Sequence, residues 1–274
     1  MGLLGRGLEV KDEDQVRLMR RAGLVVGETL ALLRDAVAPG VTTADLDALA
    51  EQSIRSRGAT PSFLGYQGFP ASICTSVNHE VVHGIPGGRV LAEGDLVSID
   101  CGAIVEGWHG DAALSVAVGP VPDDVARLME VTEEAMWRGI AAAGPGGRVG
   151  DISHAVQQHV ESAGTFGIVP DYTGHGIGSA MHLPPDVPNL GRPGRGPRLV
   201  PGLALAVEPM VTLGTDETDV LADDWTVVTT DGSWAAHYEH TFTLTSTGTW
   251  VLTALDGGEA AMTRLGVPFG PLAD

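Results

Sequence analysis

The chain has only two cysteines, Cys74 and Cys101. Two thiols make no disulfide framework, so both are read as buried small hydrophobes in a reducing cytoplasm. No apolar run reaches membrane-spanning length. The start, MGLLGRGLEVKDED, holds too short an apolar stretch for a secretory signal. It opens Met-Gly, but Arg6 stands where a myristoylation signal needs Ser or Thr, so no membrane partner is expected. Positive charge is scarce as well: 16 Lys and Arg against 35 Asp and Glu give a formal charge of −19. That balance repels phosphate backbones and excludes DNA as a partner of the whole protein. The local exception is "GRPGRGPR", where Arg192, Arg195 and Arg198 alternate with Gly and Pro. Its composition reads most simply as a solvated loop, with a contact patch for an anionic partner as the lesser reading.

What is present is apolar residue in quantity. Hydrophobic residues make up 43% of 274, with mean hydropathy +0.13, which excludes disorder and gives a large core. Residues 12 to 38 read as an amphipathic helix opened by acidic residues and closed by Pro39-Gly40. A second helix, about 43 to 57, is capped by Thr42 or Thr43 and stops at Gly58. Strand patterns run from 71 to 118. After Pro120 the scheme restarts, with helices at about 123 to 143 and 150 to 163.

The restart is visible residue by residue. "PGVTTADLDALAEQSIRSRG" (39–58) aligns without a gap on "PGGRVGDISHAVQQHVESAG" (145–164), matching Asp45 with Asp151 and Gly58 with Gly164. Tyr66 and Tyr172 keep the same offset. "LAEGDLVSID" (91–100) then matches "LVPGLALAVE" (199–208), which sets Asp100 opposite Glu208. The matched blocks predict one domain of two halves, about 10–119 and 120–254 with short tails. Each half is two helices followed by strands, and a pseudo-two-fold axis relates them.

Within "VSIDCGAIVEGWHGDAALSV" (97–116), two β-type runs each carry an aspartate, Asp100 and Asp111. Paired residues of an antiparallel hairpin share a face. A turn at Val105-Glu106 would pair the two aspartates directly. A turn at Glu106-Gly107, the more glycine-friendly choice, would make them diagonal neighbours on one face, and only an odd-length loop would separate them. In the other half, Glu208 ends "LALAVE" and Glu239 opens "EHTFTLT", on the side away from Phe242 and Leu244. Four carboxylates converging by symmetry are barely tolerable without a cation, and hard divalent ions prefer carboxylate oxygens. "TGHGIG" (173–178) adds His175 as a plausible nitrogen ligand.

These motifs, with "CTSVNHEVVHGIP", "AVEPM" and "YEHT", resemble the type I methionine aminopeptidases over about residues 10 to 252. The resemblance implies an α/β pita-bread fold around a central dimetal site. Asp100, Asp111, His175, Glu208 and Glu239 fall where that family binds two divalent metal ions (Co, Mn, Fe, Zn or Ni), Asp111 and Glu239 bridging. His83 and His182 match the two histidines that contact substrate. Tyr66, Phe69, Cys74, Met181 and Trp225 fall where the methionine side-chain pocket is lined. Met181 departs from a position that is often aromatic, and "HLPP" from an acidic residue usual there. The implied activity is hydrolysis of N-terminal methionine from nascent polypeptides when the second residue is small. Water activated by the metals would be the nucleophile, His182 the oxyanion donor and Glu208 the proton shuttle. The resemblance also implies a cytoplasmic monomer with transient ribosome contact.

Three rivals are set beside it. "HEVVH" (79–83) spells a zincin motif, but β-branched neighbours and Gly84, Pro86, Gly87 and Gly88 favour a strand entering a turn. A pita-bread protein turned binding module would lack ligands that are all present here. A proline-specific or creatinase-like relative would generally carry a further N-terminal domain.

Overall fold

The computed structural model describes residues 7–273; the Met-Gly start and Arg6 lie outside them. Two helices come first, α1 (Glu13–Ala36) and α2 (Thr43–Ser56), then β1 (Thr60–Pro61), β2 (Ile73–Val77), β3 (Glu80–Val82), β4 (Leu96–Val105) and β5 (Trp108–Ala117). The scheme repeats with α3 (Asp123–Ala142) and α4 (Val149–Ala163). After them come β6 (Gly167–Ile168), β7 (Gly174–Gly176), β8 (Leu183–Val187), β9 (Ala204–Val207) and β10 (Met210–Thr212). The remaining elements are β11 (Thr218–Val220), β12 (Val227–Thr229), β13 (Ala235–His237), β14 (Glu239–Leu244), β15 (Thr249–Val251) and α5 (Glu259–Leu265).

Local chemistry explains the helix boundaries. Asp12 caps α1 by accepting from Gln15 N at 2.9 Å. Thr42 caps α2, and the Asp45 carboxylate accepts back from Thr42 N at 2.9 Å. Asp151, matched to Asp45 by the repeat, does the same for Arg148 N at 2.7 Å. These reciprocal bonds satisfy donors that a helix start leaves open. Pro39-Gly40 and Pro145-Gly146 lie just past the ends of α1 and α3, where neither residue can continue a helix. Arg192, Arg195 and Arg198 sit on an exposed loop whose backbone carbonyl at Arg195 accepts from Gly150 N of α4.

A nine-stranded sheet runs in the order β1–β4–β5–β14–β9–β7–β8, with β2 also on β4 and β15 on β14. Strands from before residue 120 form one flank and strands from after it the other. This is the curled α/β sheet expected of the pita-bread fold. Two three-stranded sheets, β13–β10–β6 and β11–β12–β3, complete the strands. Helix α1 buries Val16, Met19, Val26, Leu30 and Leu33 and crosses the sheet backbone to backbone. A Cβ on Gly110 of β5 would stand 2.7 Å from Gly23 N, and one on Gly23 would stand 2.1 Å from the Leu252 carbonyl. Only glycine fits either place. Beyond 254 the chain does not trail off: Met262 of α5 is fully buried in the core of the second half.

The flanks meet at β5 and β14. There the backbone pairs only at Glu239–Ala113 and His240–Ala112, whereas β4 and β5 pair from Leu96–Ala117 to Val105–Trp108. Hydroxyls bridge the rest of this seam. Thr241 Oγ1 donates to the Asp111 carbonyl at 2.8 Å and accepts from its N–H at 3.2 Å. Ser115 Oγ does the same for His237, both at 3.0 Å.

Candidate metal centre and its pocket

Strand register brings the carboxyl groups together. The β4–β5 turn lies at Glu106-Gly107, with φ of 50° and 83°, the double positive φ that suits a two-residue hairpin loop. Asp100 therefore pairs with Ala113, and Asp111 with Gly102, so the aspartates are diagonal neighbours on one face. Glu239 pairs with the same Ala113 from the other side and continues their row. His240 pairs with Val207, which brings Glu208 alongside Glu239. On β7, Gly176 pairs with Leu205, placing His175 on the same face.

The resulting distances are those of a ligand cluster. Asp111, His175 and Glu239 each offer a donor atom within 4.8 Å of the others, and His175 Nε2 lies 3.4 Å from Glu208 Oε1. Asp100 Oδ1, Asp111 Oδ1 and Glu239 Oε1 are buried with no hydrogen-bond partner. Such orphans are rare unless a ligand satisfies them. His175 Nδ1 sits 2.9 Å from the Gly176 carbonyl; a carbonyl can only accept, so Nδ1 holds the proton and Nε2 keeps a free lone pair.

Electrostatics point the same way. Burial first, then the neighbouring carboxylates, holds Asp111, Glu208 and Glu239 well above the usual carboxyl range, and burial lifts Asp100 to about 7. Burial also pushes His83 and His175 down to about 4, so both are neutral at neutral pH, the state in which His175 can act as a ligand. Four crowded oxygen donors and one neutral imidazole fit hard or borderline divalent ions.

Above this cluster opens a cavity of about 200 Å³ that is lined by every site residue singled out in the sequence. Phe69, Cys74 and Met181 are buried in one apolar group with Phe63, and Tyr66 and Trp225 pack against it. Cys74 pairs with Asp100 across β2 and β4 and stands where the apolar wall meets the carboxyls. Phe69 and Trp225 meet edge to face, ring centres 5.0 Å apart.

His83 and His182 are held by crossed aromatic contacts. Tyr66 O–H lies 2.8 Å from His182 Nδ1, and Tyr172, its repeat partner, packs on His83 with ring centres 5.5 Å apart. The His182 ring also lies against His175 at 4.3 Å. His83 has φ +59°, a left-handed backbone that non-glycine residues seldom adopt away from functional sites. The HEVVH segment spans the turn at Asn78-His79 and β3, so its histidines share no helical face.

Three residues at the site escaped the sequence reading. Phe63 and Gln67 line the cavity, and His237 forms a further donor group with Glu208 and Glu239. His237 had a readable signal: it stands two residues before Glu239, hence on the same side of an extended chain.

The chain is similar to known proteins over most of its length. The profile of metallopeptidase family M24 matches residues 17–246. A methionine aminopeptidase of Clostridium acetobutylicum is 55% identical over 245 residues, spanning 89% of this chain and 98% of its own. Methionine aminopeptidase 1 of Mycobacterium tuberculosis is 54% identical over 249 residues, spanning 89% and 94%. The crystal structure of methionine aminopeptidase from Rickettsia prowazekii matches with TM-score 0.88 and 42% identity over 90% of this chain and 99% of that one. Prolidase from Pyrococcus furiosus, at 20% identity and TM-score 0.69 over 89% of this chain and 65% of its own, shares the fold alone.

Proposed function

Because the chain belongs to metallopeptidase family M24, we propose that it is a methionyl aminopeptidase. It hydrolyses N-terminal methionine from nascent polypeptides in the cytoplasm when the second residue is small. It acts as a monomeric, single catalytic domain whose halves, about 10–119 and 120–254, share the site, with transient ribosome contact. One observation carries this reading: an apolar, sulfur- and aromatic-lined cavity opens directly onto a buried cluster of carboxyls and imidazole.

Asp100, Asp111, His175, Glu208 and Glu239 would hold two divalent ions, which supply an activated water and Lewis-acid polarisation of the scissile carbonyl. The chain's own groups do the rest. Phe69, Met181, Cys74 and Trp225 take the thioether side chain, since sulfur packs favourably against aromatic edges. With Tyr66 O–H donating to His182 Nδ1, the His182 Nε2–H is free to donate to the developing oxyanion. His83, fixed between Tyr172 and Trp225, contacts the substrate backbone. Glu208 carries a proton from the attacking water to the leaving amine.

The test is cleavage of Met-Ala-, Met-Leu- and Leu-Ala-headed peptides of equal length by metal-replete protein. Met-Ala is expected to be cleaved much faster than the others. Equal rates on Met-Ala and Met-Leu, or preferred release of Leu, would overturn the assignment.

A further inference from the structure

His237 is 2% exposed, yet its Nε2 has no hydrogen-bond partner. An imidazole nitrogen buried without a partner is costly and calls for a ligand. The atom it faces is Glu208 Oε2, 4.0 Å away. Across the same carboxylate, His175 Nε2 faces Oε1 at 3.4 Å. The two imidazoles thus flank the two oxygens of one side chain. Neither distance is that of a well-formed hydrogen bond to nitrogen, which is about 2.7–3.2 Å. Both suit two donors of a common ion, because bonds of about 2.0–2.2 Å set neighbouring ligand atoms roughly 3–4 Å apart. Donor atoms of Glu208, His237 and Glu239 all lie within 4.8 Å of one another, the same compactness that Asp111, His175 and Glu239 show.

The contrast with His109 sharpens the point. His109 stands two residues before Asp111 as His237 stands two before Glu239, but its Nδ1 already has Ser62 Oγ at 3.1 Å. The His237 backbone is pinned on both its N–H and its carbonyl by Ser115 Oγ, so the ring starts from a fixed base.

We infer that His237 Nε2 is a further protein donor to the metal centre, on an ion shared with Glu208 and Glu239. The inference rests on the reading of a divalent-metal centre given above. It gives the centre two imidazoles rather than one. Imidazole suits zinc, nickel and iron, whereas carboxylate and water suit manganese and magnesium, so His237 tilts the site towards the former.

The experiment has two arms. In the first, wild-type protein is crystallised after loading with zinc; Nε2 is expected about 2.0–2.1 Å from an ion. In the second, Zn²⁺ and Mn²⁺ are titrated calorimetrically into metal-stripped wild type and His237→Gln. The variant should bind Zn²⁺ at least tenfold more weakly and Mn²⁺ with a smaller change. An ordered ion more than about 3 Å from Nε2, with the ring only hydrogen-bonded to Glu208, would overturn the proposal, as would unchanged Zn²⁺ affinity in a folded variant. If His237→Gln fails to fold by near-UV circular dichroism, the zinc-loaded wild-type structure decides alone. A wild type that takes up neither metal would refute the metal-centre reading itself, a distinct outcome.

Discussion

Stripping the metal and raising the pH from about 6.5 to 8 should destabilise the protein. In the ion-free chain Asp111, Glu208 and Glu239 are held well above the ordinary carboxyl range, chiefly by burial, and Asp100 rises from 3.8 to about 7. A carboxyl raised in the folded state keeps a proton that the unfolded chain has released. Its stabilising effect is therefore complete below the unfolded value and is lost as pH climbs to the folded one. For Asp100 the whole displacement amounts to about 4 kcal/mol, at about 1.4 kcal/mol per tenfold change in proton affinity. Buried imidazoles act in the opposite sense. His83, His175 and His240 stand at about 4 and His237 at about 3, all through burial. Unfolding in acid charges them, so their effect makes stability rise with pH until about 6.5, the unfolded histidine value. Below that pH the two groups offset each other; above it the carboxyls act alone. Each one still protonated in the folded chain then lowers stability by about 1.4 kcal/mol per pH unit. Urea unfolding of chelator-dialysed protein at half-unit steps should show stability near level up to pH ~6.5 and a fall of at least that slope beyond it. With metal restored the folded carboxylates are already ionised, and the fall should vanish. A flat or rising profile from 6.5 to 8 in stripped protein, or an equal fall with metal bound, would refute the reasoning.

Replacing Asp111 or Glu239 by Ala should abolish peptide cleavage and metal uptake together, whereas His175→Ala should weaken one of two sites; metal content per chain by emission spectroscopy checks both. His83→Ala should lower kcat/KM by roughly 10²-fold or more with metal retained, and His79→Ala should leave rate and metal nearly intact. If His79→Ala strips the metal while Asp100→Ala does not, the HEVVH motif is the true site. Gly110→Ala forces a Cβ against Gly23 N at 2.7 Å and should cost about 1–3 kcal/mol as an overpacked contact. Thermal unfolding reads it, and an unchanged Tm would mean that α1 can slide off β5.

The helices were legible because their ends are written in short-range chemistry. Thr42 with Asp45, Asp151 and the two Pro-Gly pairs act within four residues of themselves, and observed limits differ from expectation by at most two residues. The site was legible because strand alternation fixes a face: Glu106-Gly107 accepts the positive φ of a tight turn, and parity then aligns Asp100 with Asp111. Gly107 already favoured that turn over Val105-Glu106, and the fold has it there. The pairing of β12 with β3 brings together segments far apart in the chain, and no local pattern announces it. Helix α5, short and bounded by Gly258 and Gly266, had no periodic stretch long enough to read. His237 was passed over although its spacing to Glu239 was readable, because Glu208 comes opposite it only in the fold.

The seam between β5 and β14 has a consequence for how the enzyme ages and matures. Its backbone joint is short, and the residues at that joint are neighbours of Asp111 and Glu239. Ions bound there would act as rivets across this short joint between the two halves, adding RT ln(1 + [M]/Kd) to its cohesion. Loss of metal would thus slacken the joint before it melts the molecule. Amide exchange at Ala112, Ala113, Glu239 and His240 would track occupancy while the outer rungs of β4 and β5 stay protected. A chain that closes this joint badly cannot hold its ions, so competence to bind metal doubles as proof of correct assembly.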